Sequence, residues 1–239
     1  MSTSLPGAPL LAAANLTKSY GNSTALAGVS LQVRPGEATA VMGASGSGKT
    51  TLLHCLAGII LPDTGSVRLL GTASDVPAEI TSLDDAARSA LRRTEFGFVF
   101  QQGLLIPELT AGENVALALM LNGTPRQVAE QQAAAALAAL GLGGMEGRRI
   151  GELSGGQAQR VAIARAQVNG ARVLFADEPT GALDSRTSAD VMALLLQSVA
   201  GTGRALVVVT HDPEVARWCS RVVTLADGQI VADTAGVAR

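Results

Sequence analysis

Short apolar runs bounded by Gly, Pro or Asp alternate with stretches of helical periodicity along most of this chain. The runs predict strands over Ala25–Val33, Glu37–Met42, Ser66–Leu70, Glu95–Phe100, Arg172–Ala176, Ala205–Thr210, Arg221–Leu225 and Gln229–Ala232. Continuous β-branched runs such as Val207-Val208-Val209 suit strands buried on both faces of a parallel sheet. Strands alternating with helices predict an α/β fold with crossover connections.

Two stretches depart from the alternation. From Gly7 to Pro35 the pattern reads as β-hairpins at one edge. From Leu104 to Gln167 no strand pattern occurs and helix signals follow one another, which predicts a helical lobe inserted into the α/β core. Inside it, Thr110-Ala111-Gly112-Glu113 reads as a capping box. Thr124 reads as an N-cap with Pro125 at the first helical position, and Gly141 closes that helix near Leu140. The alanine-rich run Ala133–Ala139 is simple helix propensity.

Composition narrows the class. With 239 residues, 47% hydrophobic and 16% charged, the chain is in the globular range and long enough to build a core without staples. A net charge of −2 disfavours non-specific wrapping of nucleic acid. The two cysteines, Cys55 and Cys219, form no zinc or CxxC pattern, so neither a disulfide framework nor a structural zinc is expected. Apolar stretches such as Ala133–Leu142 fall short of the ~18 residues a span needs. The first cation is Lys18, so no secretory signal is expected and the sequence reads as soluble and cytosolic.

Gly43-Ala44-Ser45-Gly46-Ser47-Gly48-Lys49-Thr50 matches G-x-x-x-x-G-K-[ST] between an apolar strand ending at Met42 and a helix through Leu52, Leu53 and Leu56. Glycines let the backbone curl so that several N–H groups converge, and the helix N-terminus adds partial positive charge. Lys49 supplies a cation for β- and γ-phosphates, and the Thr50 hydroxyl is a hard ligand for Mg²⁺. The loop, with Thr51 after it, is thus assigned to a triphosphate nucleotide with Mg²⁺. Further on, Val173-Leu174-Phe175-Ala176 ends in Asp177 and Glu178. Asp177 at the carboxyl end of a strand suits Mg²⁺, and Glu178 suits a general base for the attacking water.

Leu153-Ser154-Gly155-Gly156-Gln157 precedes an apolar-periodic helix through Val161, Ile163 and Ala164. Here the chain resembles the nucleotide-binding subunits of ABC transporters, whose signature is LSGGQ, and the resemblance runs from Leu16 to Val231 with the motifs in the family's order. It implies a P-loop RecA-like core with a parallel sheet, an edge antiparallel β subdomain and an inserted α-helical subdomain. A single ABC ATPase domain over 1–239 follows, with core and β subdomain at about 1–102 and 168–239 and the helical subdomain at about 103–167.

The resemblance also assigns roles. Tyr20, the only tyrosine, occupies the place where an aromatic ring stacks on adenine, a contact worth about 1–3 kcal/mol. Gln101, after Phe96–Phe100, is similar to the switch glutamine that contacts Mg²⁺ and water, and Gln102 adjoins it. Gly181-Ala182-Leu183-Asp184 resembles the loop at the dimer seam, and His211 the histidine at the γ-phosphate. His54, on the loop's helix, reads as packing. Two chains head-to-tail would bring Ser154, Gly155, Gly156 and Gln157 of each onto the other's nucleotide, burying two ATP. Ala158 and Gln167 depart from the family pattern, where a polar residue and leucine are frequent.

Within the family, Phe96–Val115 and Ala176–Asp184 look most like the macrolide-export, lipoprotein-release and cell-division branch. That likeness implies an ATPase subunit on the cytoplasmic face of the membrane, peripheral, forming a homodimer with a second ATPase subunit and working with a separate integral permease, with no nucleic acid. Alternatives are an importer ATPase subunit and a soluble ABC ATPase of DNA repair or translation. The latter usually carry two cassettes, zinc modules or long coiled coils, none of which is visible here. The only lysines, Lys18 and Lys49, form no guanine motif, which argues against a GTPase.

Overall fold

A computed structural model describes residues 8–70, 77–101 and 103–234. The chain divides into two units, Met1–Ser89 with Val199–Arg239, and Ala90–Ser198.

The first unit holds two sheets. In one, β1 (Leu11–Tyr20) pairs antiparallel with β2 (Ser23–Val33) and with β4 (Thr64–Leu69), and β4 pairs with the short β5 (Ala78–Glu79). This is the antiparallel edge expected from the hairpin pattern of residues 7–35. In the other, β3 (Ala38–Met42) runs parallel to both β8 (Ala205–Thr210) and β9 (Arg221–Ala226), and β10 (Gln229–Asp233) closes antiparallel on β9. All six residues of β8 are buried, as the Val207–Val209 run demands. Helix α1 (Lys49–Leu56) packs on β8, β1 and β2, and α7 (Pro213–Arg217) packs on β3 and β8. Buried Arg221 donates from Nε and one Nη to the two Asp233 oxygens (2.8 and 2.7 Å), and from the other Nη to Glu37 (2.9 Å). The hydrogen bonds to Asp233, then those to Glu37, hold its pKa above the ordinary arginine value. Cys55 and Cys219 are free and buried, and burial pushes their thiols up to about 11 and about 12, so both stay protonated at neutral pH.

In the second unit β6 (Phe96–Phe100) runs parallel to β7 (Val173–Asp177). All four phenylalanines cluster here: Phe96 meets Phe175 edge-on at 5.3 Å, and Phe98 stacks on Phe100 and Phe175 at 6.0 and 5.6 Å. Between these strands come α3 (Ala111–Met120), α4 (Arg126–Ala139) and α5 (Gly155–Gln167), with α6 (Ser185–Gln197) after β7. Their shared core is small-sided, built from Ala111, Val115, Ala129, Ala133, Leu137 and Val161 among others, which lets α3, α4 and α5 pack closely. Helix α2 (Asp85–Thr94) straddles the division between the units. No helix of the described residues is long and apolar enough to cross a membrane.

The local signals are largely realised. Thr110 and Glu113 form the expected reciprocal cap. Gly141 has φ +74°, its N–H donates to Ala138 and that of Leu142 to Leu137, the double closure of a helix C-terminus. The reading of Thr124 is corrected. Pro125 is itself the N-cap (ψ 142°) and α4 begins at Arg126, while the Thr124 N–H turns back to the Leu119 carbonyl and so belongs to the end of α3.

Gln167, at the end of α5, buries its Nε2 with no hydrogen-bond partner among the described residues. An unmet buried donor costs about 1–3 kcal/mol. Gln167→Leu is therefore expected to stabilise the protein by about 1 kcal/mol, seen as a rise of about 2–4 °C in Tm by calorimetry. An unchanged or lower Tm would show that the amide is satisfied in solution.

Candidate functional site: an anion-binding loop and a carboxylate edge

In the first unit, β3 delivers the chain to the glycine-rich loop at its carboxyl end. Because Met42 is in register with Thr210, Gly43 and His211 leave neighbouring strand ends. Two constraints explain the glycines. Gly46 and Gly48 have φ +80° and +99°, where a side chain is strained. A Cβ on Gly43 would collide with the Leu225 carbonyl, and one on Gly48 with the Ala25 carbonyl of β2. The curl so forced puts Lys49 Nζ 2.8 Å from both the Gly43 and Ala44 carbonyls, with the lysine 7% exposed.

The loop is rich in donors and poor in acceptor side chains. Helix α1 has Gly48 as its N-cap, with no side-chain cap and no acid in its first turn, so its N-terminus keeps the partial positive charge that favours an anion. Ser47 is buried and its Oγ has no partner among the described residues, although its main chain is fixed by N–H donation to Ala44 (3.2 Å) and acceptance from Gly228 (3.2 Å). Thr50 is exposed in the first turn of α1, with Thr51 half-buried behind it. Tyr20 ends β1 with its ring 49% exposed. The Lys18 ammonium lies 5.7 Å from the ring centroid and is held by Asp63 at 2.8 Å. His211 is exposed. The backbone after it is pinned by Asp212, whose N–H donates to Thr210 Oγ1 (3.0 Å) and whose Oδ1 caps α7.

In the second unit, Phe100 is in register with Asp177, so Gln101 and Glu178 emerge side by side from adjacent strands. Glu178 has φ +47°, left-handed backbone that carries a carboxylate instead of a glycine. The turn after it closes through Gly181 N–H donating to the Glu178 carbonyl (3.1 Å), and Gly181 packs against the Gln101 amide, where a Cβ would approach to 2.8 Å. Asp184 caps α6, accepting from the Thr187 hydroxyl (2.7 Å) and from the Arg186 and Thr187 N–H groups. The Thr187 hydroxyl and N–H hold its carboxyl below the usual range.

Ser154 caps α5. Its Oγ accepts from Gln157 N–H (3.3 Å) and its own N–H donates to Gln157 Oε1 (2.9 Å), so the signature glutamine is folded back onto the cap. Gly155 is exposed, and a Cβ on Gly156 would strike the Thr187 side chain. Gln102 lies outside the described residues.

Sequence reasoning did not single out the side chains that hold this edge. Gln159 and Arg165 on α5, and Asn114 on α3, each reach the backbone of the strand ends or the loop after Gln101. Asn114, fully buried, accepts from Ile106 N–H (2.8 Å) and donates to the Ile106 and Thr110 carbonyls (3.0 Å each). Arg165 donates to the Gly103 and Leu104 carbonyls at 2.7 and 2.8 Å, and burial lowers its pKa. The available signal was a polar side chain where the helical period calls for an apolar one.

Among the described residues no group of three or more His, Cys, Asp or Glu could enclose a metal by itself. Thr50 in the first unit carries a hydroxyl, and Gln101 and Asp177 in the second carry an amide oxygen and a carboxylate, each a hard oxygen donor of the kind divalent cations take.

Comparison with known proteins agrees with this architecture. The chain is 44% identical over 233 residues to the pyoverdine export ATP-binding/permease protein PvdT of Pseudomonas entomophila, covering 95% of this chain and 35% of that protein. It is 46% identical over 231 residues to the macrolide export ATP-binding/permease protein MacB 1/2 of Paracoccus denitrificans, with 95% and 34% covered. The chain thus spans about a third of the length of these relatives. Among solved structures, the dimeric post-hydrolysis ATP-binding cassette MJ0796 bound to ADP and Pi is similar at TM-score 0.82 and 38% identity, over 93% of this chain and 97% of that one. The fold is the α/β P-loop fold of such cassettes. With the ABC transporter family model matching residues 26–181 as well, the chain belongs to the ABC transporter family.

Proposed function

We propose that residues 1–239 act as one ABC ATPase domain that binds and hydrolyses ATP, pairs with a second copy around two ATP, and drives a membrane permease from the cytoplasmic face in export, extraction or mechanotransmission. The observation that carries this is the loop around buried Lys49. Its ammonium donates to two loop carbonyls, those of Gly43 and Ala44, and near it in the same loop the Ser47 hydroxyl is buried without a partner among the described residues.

Each residue then has a task. Loop N–H groups from Gly43 to Thr51 bind phosphate oxygens, and Lys49 exchanges its two carbonyls for them. Tyr20 stacks on the base. Glu178 accepts the proton of the attacking water, and His211 and Gln101 orient the terminal phosphate and that water. Thr50, Asp177 and Gln101 would hold Mg²⁺, which when bound neutralises charge on the phosphate oxygens. The partner copy supplies Ser154, Gly155, Gly156 and Gln157 at the nucleotide, with Asp184 at the seam. A ligand bridging two protomers favours their closed state, and cleavage removes the bridge. The export branch is supported by the relatives' names, which join ATP binding to a permease.

The test is purification from native membranes with ATP turnover measured on the product. Recovery with an integral membrane protein and steady ATP hydrolysis is expected. ATPase activity with bound ribosomes or DNA and no membrane partner would overturn the transport reading, and no nucleotide binding at all would overturn the whole proposal.

A further inference from the structure

Gln159 lies on α5, in the turn after the Ser154 cap, and is 3% exposed. Its Nε2 donates to the Phe100 carbonyl at 3.0 Å and to the Pro179 carbonyl at 2.8 Å, which uses both hydrogens of the amide. Phe100 immediately precedes Gln101, and Pro179 immediately follows Glu178. One buried amide therefore clips together the two peptides that carry the switch glutamine and the general base.

The clip falls on an irregular stretch of backbone just beyond the paired ends of β6 and β7. Glu178 is in left-handed conformation, and Pro179 has no N–H to donate. The close seating of α5 is fixed at two further points. Gly97 of β6 leaves no room for a Cβ against the Ala166 carbonyl, and Arg165 grips the Gly103 and Leu104 carbonyls. The same helix begins with the signature residues Ser154–Gln157.

We propose that Gln159 is a positioning residue: it sets Glu178 against Gln101 and makes the signature helix one rigid piece with the hydrolytic edge. The inference rests on the ATPase reading above. Through this clip a load on the first turn of α5 reaches the general base without passing through a flexible loop.

The experiment replaces Gln159 with Met, which has similar length and no donors, and with Asn, which keeps the donors but is one methylene short. Turnover, KM, affinity for a fluorescent ATP analogue and Tm are measured for each, alone and with Glu178→Gln. For Gln159→Met, kcat is expected to fall about 100-fold, while KM and analogue affinity stay within about threefold of the parent. Added to Glu178→Gln it should cost nothing further, because it acts through that side chain. Parental kcat in the folded Met variant, or full additivity with Glu178→Gln, would overturn the inference and leave the ATPase reading intact. A parent protein without ATPase activity would overturn both. Should the Met variant fail to fold, the Asn variant decides on the same terms: reduced kcat at unchanged KM supports the clip, and parental kcat refutes it.

Discussion

Lys49→Ala is expected to lower affinity for ATP by about 10- to 100-fold and turnover by about 1,000-fold, while Tm stays close to that of the parent. The reasoning begins with what the ammonium now touches. Its partners are the Gly43 and Ala44 carbonyls, which face a loop already bent by Gly46 and Gly48. Removing the lysine frees two main-chain acceptors at a half-open surface and leaves β3, α1 and their packing in place. On the proposed reading, the same ammonium faces phosphate oxygens once nucleotide is bound. A hydrogen bond to a charged group contributes about 1.5–3 kcal/mol, which is the affinity loss stated. Turnover suffers more because charge on the transferring group grows toward the transition state. Titration with a fluorescent ATP analogue and a coupled phosphate assay measure the two effects. A variant that binds as tightly as the parent and turns over within tenfold of it would show that nucleotide is held elsewhere.

Glu178→Gln separates binding from chemistry. The substitution keeps the length and planarity of the side chain and removes only its capacity to take a proton, so ATP affinity should be unchanged and turnover should fall about 100- to 10,000-fold. If cleavage releases a bridging nucleotide, as proposed, a stable ATP-loaded dimer should accumulate, visible by light scattering as a doubling of mass. Hydrolysis at the parental rate would remove Glu178 from the role of general base. Normal binding with slow turnover but no dimer would place the seam somewhere other than at the nucleotide.

Much of this was legible in the residues. The strand runs fell within a residue or two of β2, β3, β4 and β6 to β10: burial on both faces leaves long apolar words in β3, β7 and β8, such as Ala205–Thr210, and one buried face leaves an alternating pattern in β2 and β9. The Thr110 cap and the Gly141 closure were readable because each is a local hydrogen-bond exchange needing only four or five residues. Other elements had no such word. Helix α7 is five residues long and β5 has two, too short to carry a period, while α2 buries none of its residues and so has no continuous apolar stripe. Helix α6 begins at a cap, Asp184, that was read only as part of a motif.

The loop and the Asp177-Glu178 pair were visible as chemistry, and their surroundings were not. Which carbonyls Gln159, Arg165 and Asn114 would reach depends on contacts 59, 61 and 8 residues distant in sequence, and a polar side chain in a helix says only that some partner exists. The one misplaced boundary, at Thr124, has the same origin. Its N–H was already committed to the preceding helix, a fact written in Leu119 and absent from the Thr-Pro pair itself.

The backbone at Glu178 has a longer reach. Left-handed geometry costs an ordinary residue about 1–2 kcal/mol relative to glycine, and asparagine tolerates it better than glutamate does. On the proposed reading, the reaction favours a carboxylate at a position whose backbone accepts other residues more readily. A lineage whose copy stopped turning over fuel would be under steady pressure to drift toward Gly or Asn there. If Glu178 is the general base, the amino acid at this single turn would serve as a fossil mark, telling working engines from retired ones.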